Sequence, residues 1–349
     1  MQDPIENNDE LLEQEGLYEH FRFVADKGQQ SFRIDKFLVN RLESTSRSKI
    51  QNAAAAGNIR VNDQPVKSNY KVKPNDIITI VLAFPPRTLE LIPQDIPLNI
   101  LYEDDDVIVI DKEAGMVVHP GHGNYTGTMV NALMYYFQDL PLFKSGELRP
   151  GLVHRIDKNT SGILVVAKSE LALNHLANQF YERTTDREYI ALIWGLPSES
   201  KGTITGNIGR HPVDRMRMYV FEDGSSGKHA VTHYEVMEDL GYISMIKCKL
   251  ETGRTHQIRV HLSYIGHPIL NDERYGGDQI LKGTTFTKYK QFVQNCFQTM
   301  PRHALHARSL AFTHPKTGKR MQFESPLPQD MQLVIEKWRK YIAGRTQEL

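Results

Sequence analysis

The chain has 349 residues, 40% of them hydrophobic, and its 42 Lys and Arg balance 42 Asp and Glu to a formal net charge of zero. That composition is ordinary for a globular protein, the length suits more than one core, and no apolar run reaches the roughly eighteen residues of a membrane span. With only Cys248 and Cys296, far apart, a disulfide framework is excluded and a reducing cytoplasm is expected; the acidic start also lacks the basic and apolar parts of a secretory signal.

The zero charge hides an uneven distribution. Residues 1–20 carry −7, residues 21–84 carry +6, and the remainder carries +1. The first segment reads as an acidic flexible tail. The second reads as a basic module, the footprint of a polyanion binder or simply a solvated charged face. Within it, Ile34, Phe37, Leu38 and Leu42 have helical spacing, and residues 48–56 form a second short helix stopped by Gly57. Residues 58–61 and 76–82 read as strands, Asn62-Asp63 as a turn, and Phe84-Pro-Pro86 as the exit from the module.

From residue 85 onward strands dominate. They are expected at 107–110, 162–167, 188–194, 231–237 and 243–250, with a hairpin of 304–312 and 320–323 around Pro315-Lys-Thr-Gly318. Helices are expected at 170–182 and 329–341. The strands are not regularly separated by helices, so the fold class is α+β: a mixed, mostly antiparallel sheet in residues 85–349, preceded by a small α+β module in residues 21–84.

Gly151-Leu-Val-His-Arg-Ile-Asp-Lys-Asn-Thr-Ser-Gly-Ile-Leu-Val-Val-Ala-Lys168 is the most informative stretch. A lone Asp in so turn-rich a string is more often a turn or cap residue than a catalyst. The whole string, however, resembles the catalytic motif of the RluA family of pseudouridine synthases, with Ile156 where Leu is more usual. Three further segments match that family in order. They are Asp111-Lys-Glu-Ala-Gly-Met-Val-Val-His-Pro120 (Glu113 replacing a common Pro), Arg187-Glu-Tyr-Ile-Ala191, and Leu250-Glu-Thr-Gly-Arg-Thr-His-Gln-Ile-Arg-Val-His-Leu262. Arg302-His-Ala-Leu-His-Ala307 and His314-Pro-Lys-Thr-Gly318 are also typical of it. Pro120-Gly-His-Gly-Asn124 and Ala230-Val-Thr-His-Tyr234 bring the resemblance nearest to the RluD-type, large-subunit ribosomal RNA branch. The basic module resembles an S4 RNA-binding domain through Arg33-Ile-Asp-Lys-Phe-Leu38, Ser46-Arg-Ser-Lys49, Ala56-Gly-Asn-Ile-Arg-Val-Asn62 and Lys73-Pro-Asn-Asp-Ile-Ile78.

The resemblance implies an isomerase that turns uridine into pseudouridine in RNA, most directly large-subunit ribosomal RNA, without a cofactor. It implies Asp157 as nucleophile, Arg259 (with Arg254 as runner-up) as its charge partner, and Tyr189 as platform for a flipped-out base. Ile258 would pack on the base, Arg155 would enter the RNA where the uridine leaves, and His154 would line the substrate site. In the module, Arg33, Arg47, Lys49, Arg60 and Lys67 would contact phosphates, which position RNA without reading sequence. The chain carries neither a Walker-type phosphate loop nor a dinucleotide fingerprint. His256, His261, His303, His306 and His314 lack a recognised zinc spacing, so no metal is expected. A cytoplasmic monomer with no membrane role completes the reading. Two alternatives stay open: an RNA-binding protein without catalysis, and a glycosidase-like enzyme, which requires a second catalytic carboxylate.

Overall fold

The computed structural model describes residues 17–28, 31–39, 41–42, 45–83, 91–121, 124–144, 150–214 and 216–346. Residues 1–16 of the acidic segment, the Phe84-Pro-Pro86 exit and His122-Gly123 lie outside them. The chain divides into two compact units, Met1–Thr88 and Leu89–Leu349.

The first unit runs β1 (Tyr18–Val24), α1 (Ile34–Val39), α2 (Arg47–Ala55), β2 (Ile59–Val61), β3 (Gln64–Pro65) and β4 (Ile77–Leu82). Its strands form an antiparallel sheet in the order β1-β4-β2-β3. The Ser46 side chain accepts from the Lys49 amide and starts α2, and Gly57, at φ +75°, ends the turn after it. Ile34, Phe37, Leu38 and Ile50 pack on Ile59, Ile78 and Ile80. Strand β1 opens inside the segment read as tail, because Tyr18 pairs with Leu82 and Glu19 with Val81; only a partner strand distant in sequence gives those residues a ladder. Asn75 takes a left-handed φ of 62°, the turn geometry an Asn tolerates in place of Gly.

Asp35, fully buried on α1, organises the charges of this unit. It accepts from Arg33 (3.0 and 3.2 Å), Arg47 (3.0 Å) and Gln51 (3.0 Å). Burial pushes its carboxyl upward, but these donors outweigh burial and hold it at about 2. Arg33 and Arg47 are therefore tied at one edge to a buried acid while their side chains stay 41% and 48% exposed.

The second unit contains β5 (Ile100–Glu103), β6 (Val107–Lys112), α3 (Met129–Tyr136), α4 (Pro141–Lys144), β7 (Ser161–Ala167), α5 (Glu170–Tyr181), β8 (Asp186–Trp194), β9 (Lys201–Arg210), β10 (Met218–Phe221), β11 (Lys228–Asp239), β12 (Ile243–Leu250), α6 (Gln257–Tyr264), α7 (Thr287–Thr299), β13 (Leu305–Thr313), β14 (Arg320–Glu324) and α8 (Gln329–Thr346). Among the described residues, the strands make one ten-stranded sheet in the order β10-β9-β11-β12-β8-β13-β7-β6-β5, with β14 on β13. All pairs are antiparallel except β13 with β7. The fold is thus α+β with a mixed, mostly antiparallel sheet. Strand β7 reads as a continuous apolar run because both its faces are covered: Leu164 and Val166 join the core that holds Trp194 and Trp338, while Ile163, Val165 and Ala167 pack under Ala172 and Leu176 of α5. Strand β9 escapes the pattern reading because Gly202, Gly206 and Gly209 interrupt its alternation. At Gly206 the Val220 side chain occupies the space a Cβ would need, 2.5 Å away.

One glycine sets the register on which the site depends. Gly162 lies where β7 meets β13, opposite Ala307, with φ +114°; a Cβ there would stand 2.2 Å from the Ala307 carbonyl oxygen. Gly162→Ala adds backbone strain to a clash with backbone, two separate mechanisms for a large loss. Its unfolding free energy is expected to fall by about 3 kcal/mol or more in urea titration; a drop below about 1 kcal/mol would show that the two strands slide apart freely.

Candidate active site

Asp157 lies on the irregular segment before β7, and buried groups on several sides fix that segment. Lys112, 1% exposed at the end of β6, gives its three donors to the carbonyls of Glu113 (2.6 Å), Met116 (2.9 Å) and Lys158 (3.0 Å). Burial lowers its pKa to about 7, helped by Arg302 and opposed by Asp157 and Asp111. Arg302 grips Asp330 with two bonds of 2.7 and 2.9 Å and reaches the Asn159 carbonyl at 3.2 Å. Thr160 and Ser161 bond His303 and His306 at 2.8 and 3.0 Å. The Asp157 backbone is therefore clamped from β6 and from the stretch leading into β13.

The facing wall is the start of α6. Gln257 bolts it to β11: its Oε1 accepts from Thr252 (2.7 Å) and the Arg254 amide (3.0 Å), and its Nε2 donates to the Val231 carbonyl (2.9 Å) and Thr232 (3.0 Å). His256 enters the helix in the left-handed region, φ 56°. Two residues into the helix, Arg259 bridges two carboxylates. Nη1 donates to Asp157 Oδ2 at 2.8 Å, while Nε and Nη2 grip Asp272 at 2.7 and 2.9 Å. Burial opposes the guanidinium charge, but Asp272 and Asp157 hold its pKa above the ordinary value. Asp272, 1% exposed, also accepts the amides of Arg274 and Tyr275.

Asp157 itself is under two opposed influences. Burial pushes its carboxyl upward; the charges of His256 and Arg259 and the Arg259 hydrogen bond outweigh this and leave the pKa below the usual value of 3.8. His256 Nε2 stands 3.9 Å from Oδ2, and its Nδ1 lies 2.9 Å from the Tyr275 hydroxyl, which accepts the Met218 amide. Burial lowers the imidazole to about 4, so at neutral pH Arg259 carries the stabilisation of Asp157. Both neighbours approach Oδ2, which leaves Oδ1 for a substrate.

A cavity of about 390 Å³ opens beside Asp157 and is lined by Tyr189, Ile258, Arg259, Arg254, Arg155 and His154 among others. It shares Arg155, Asp157, His256 and Arg259 with a wider cleft of about 920 Å³. The seven residues singled out in this part of the sequence thus lie around one cavity. Tyr189 on β8 and Ile258 on α6 are buried, at 7% and 4%. Burial raises the Tyr189 hydroxyl above 10, so it is a neutral phenol at physiological pH. Of the two arginines weighed as partner for Asp157, Arg259 makes the contact, while Arg254 donates to the His229 carbonyl at 3.1 Å. His154 stacks on Phe180 and accepts the Val165 amide; burial, reinforced by Arg187, lowers it to about 3. Arg155 is exposed at the mouth, 3.2 Å from His119. In the first unit, Lys49 and Lys67 are exposed and Arg60 is half-buried.

Sequence reasoning missed Asp272, Tyr275 and Arg187, and assigned no role to Lys112. Asp272 lies thirteen residues beyond Arg259 with no local pattern to mark it. Lys112 stood in a recognised segment, and only its burial shows its task. Among the described residues, Asp104, Asp106 and His314 lie close enough together to suggest a cation site. However, His314 contacts Asp104 through Nε2 and accepts two amides at Nδ1, so the cluster is consumed by its own turn. No helix among the described residues is long and apolar enough to cross a membrane.

The chain is similar to proteins already known. Residues 106–264 match the RNA pseudouridylate synthase family, and residues 32–78 match the S4 domain. A protein named as an RNA pseudouridine synthase in Chlorobaculum parvum is 50% identical, over 90% of this chain and 96% of its own. One so named in Bacillus subtilis is 44% identical, over 91% and 97%. A protein of Zymomonas mobilis named ribosomal large subunit pseudouridine synthase D is 41% identical, over 87% and 93%. The chain, with its S4 domain and α+β catalytic unit, belongs to the RNA pseudouridine synthases, isomerases that act on uridine in RNA.

Proposed function

We propose that the protein isomerises specific uridines of large-subunit ribosomal RNA, with Asp157 as nucleophile toward a uridine flipped out of its stack. The observation that carries this reading is the Asp157–Arg259 contact of 2.8 Å in a cavity walled by Tyr189 and Ile258. A carboxylate kept ionised in an enclosed site is the form a nucleophile needs. The reaction breaks the bond from C1′ to N1, turns the uracil, joins C1′ to C5, releases the C5 proton and returns a proton to N1, so atoms and electrons balance without a cofactor. Extracting the base from its stack costs a few kcal/mol, and the ring face of Tyr189 with Ile258 opposite offsets part of it. Arg155 at the mouth supports the strand from which the uridine leaves. His154 and Arg254 shape the walls.

The ribosomal target is supported by the relatives named as large-subunit synthases and by the S4 domain. Arg33, Arg47, Lys49, Arg60 and Lys67 supply phosphate contacts, and the enzyme works as a monomer in the cytoplasm, its cavity residues all belonging to residues 89–349. The test is pseudouridine mapping of large-subunit RNA with and without the gene, beside tritium release from C5-labelled transcripts in vitro. Loss of defined sites in the deletion strain supports the reading; an unchanged map alongside activity on transfer RNA overturns the target. Deleting residues 21–84 is expected to weaken binding to ribosomal RNA while single-turnover chemistry at saturating RNA persists. Unchanged affinity in a filter-binding assay counts against the phosphate role of this unit.

A further inference from the structure

The cavity holds a buried positive charge with nothing to neutralise it. Arg187, on β8 two residues before Tyr189, is 7% exposed and lines the cavity. Its Nε is buried without a hydrogen-bond partner, and the side chain makes no hydrogen bond or ion pair among the described residues. The guanidinium carbon lies 5.5 Å from the Phe180 ring, and its charge acts on His154 and Tyr189. A buried guanidinium nitrogen left without an acceptor costs free energy, and such a site is completed when an absent partner reaches the side chain.

The surroundings say what that partner is. Four arginines (Arg155, Arg187, Arg254 and Arg259) and a single acid, Asp157, line the cavity. Asp157 is already held by Arg259, and His154 beside Arg187 is neutral at physiological pH. The cavity therefore carries an excess of positive charge and calls for an anion. Residues two apart on a strand lie on one face about 6.5 Å from each other, so Arg187 and Tyr189 address the same bound molecule at different points. The space is also kept open for the guanidinium: a Cβ on Gly253 would come within 2.9 Å of Arg187 Nη1.

We infer that Arg187 is an RNA-phosphate ligand inside the cavity, binding a phosphate next to the uridine whose base lies on Tyr189. The inference rests on the proposed cavity as the uridine site. The planar fork of an arginine offers paired donors to phosphate oxygens, and the bond forms only when the nucleotide is fully inserted. Arg187 thereby reads insertion, in contrast to the exposed cations that meet the RNA surface.

The experiment compares wild type, Arg187→Met and Arg187→Lys on an unmodified transcript of large-subunit ribosomal RNA, with binding measured in an Asp157→Asn background against potassium chloride concentration. Arg187→Met is expected to lower kcat/KM by about 10- to 100-fold, the range for one charge-assisted hydrogen bond, and to flatten the slope of log affinity against log salt by about 0.7–0.9. Its melting temperature stays level or rises, since an unpaired buried charge has been removed. Arg187→Lys keeps the slope and recovers part of the rate. An unchanged slope with lowered affinity assigns Arg187 to a uracil carbonyl, and a lowered melting temperature with an unchanged slope assigns it to the fold; either overturns the inference. Tritium release by the Asp157→Asn enzyme is run in parallel. Full activity there would remove the cavity reading itself, whereas an inactive Asp157→Asn with an unaltered Arg187→Met slope removes only the phosphate assignment.

Discussion

Asp157→Asn is expected to lower single-turnover pseudouridine formation by about 10⁴-fold or more, the scale seen when an enzyme loses its nucleophile, while RNA affinity stays within a few-fold. The substitution keeps the shape of the side chain and its acceptor oxygen, so Lys112, Arg302, His303 and Arg259 still hold the loop. What disappears is the negative charge at the oxygen that faces the cavity. The stability consequence has a definite sign. The folded pKa of Asp157 lies below its ordinary value of 3.8, so the ionised group stabilises the fold above that value, and this contribution is lost as pH falls through the lowered folded pKa. Asp272, also lowered by Arg259, behaves in the same way. At pH 7 the Asn variant is therefore expected to melt slightly below wild type, with the gap closing in acid. Tritium release within tenfold of wild type would sink the nucleophile assignment, because neither a turn residue nor a purely structural acid predicts loss of chemistry with retained binding.

Arg259→Gln should produce the second-largest effect, by a different route. Burial pushes Asp157 upward and Arg259 is the permanent charge that opposes it. Removing that charge leaves burial dominant, so the acid limb of the rate–pH profile should move up by about 1–3 units. In wild type that limb lies below 3.8. In the variant it moves toward neutrality, so the rate is expected to fall off at a higher pH than in wild type. The same change strands Asp272, which lies 1% exposed with both oxygens on the guanidinium. Stranding a buried charge destabilises by about 3–5 kcal/mol. Arg259→Gln with Asp272→Asn relieves that loss and keeps the pH shift observable even where the single variant folds poorly. Arg259→Lys restores a positive charge but not the fork spanning two carboxylates, so its limb is expected between the two. A limb that stays in place in the doubly substituted, folded enzyme would falsify the account of how Asp157 remains ionised.

Much of the molecule was legible before any coordinates. The apolar run of β7, the helix at α5 and the β13–β14 hairpin follow from local periodicity and turn residues. So does α2 with its glycine stop. These are local properties: whether a residue caps, turns or alternates depends on neighbours a few positions away. The elements missed are the strands β1, β3, β5, β9 and β10 and the helices α3, α4, α6 and α7; the strands among them have patterns that become meaningful only against a partner strand. Tyr18 is a strand residue because Leu82 lies beside it, and β9 is a strand in spite of three glycines because β10 and β11 flank it.

The same division holds at the site. The sequence alone determined which residue types were present and in what order: an Asp in the 151–168 string, a Tyr two places after an Arg, and a Gln-Ile-Arg run a hundred residues later. Tertiary structure decided their chemistry, because charge state depends on distance and burial. It placed Arg259 against Asp157 across 102 positions of chain and sent Arg254 to a backbone carbonyl instead. It also brought in Asp272 as the acid that fixes Arg259. As for the second carboxylate a glycosidase would need, Asp272 is buried and saturated with donors, and among the described lining residues Asp157 is the sole acid of the cavity. Finally, only the fold turned Lys112 into an internal clamp and left Arg187 buried without a partner, because desolvation is a property of the packed interior and has no signature along the chain.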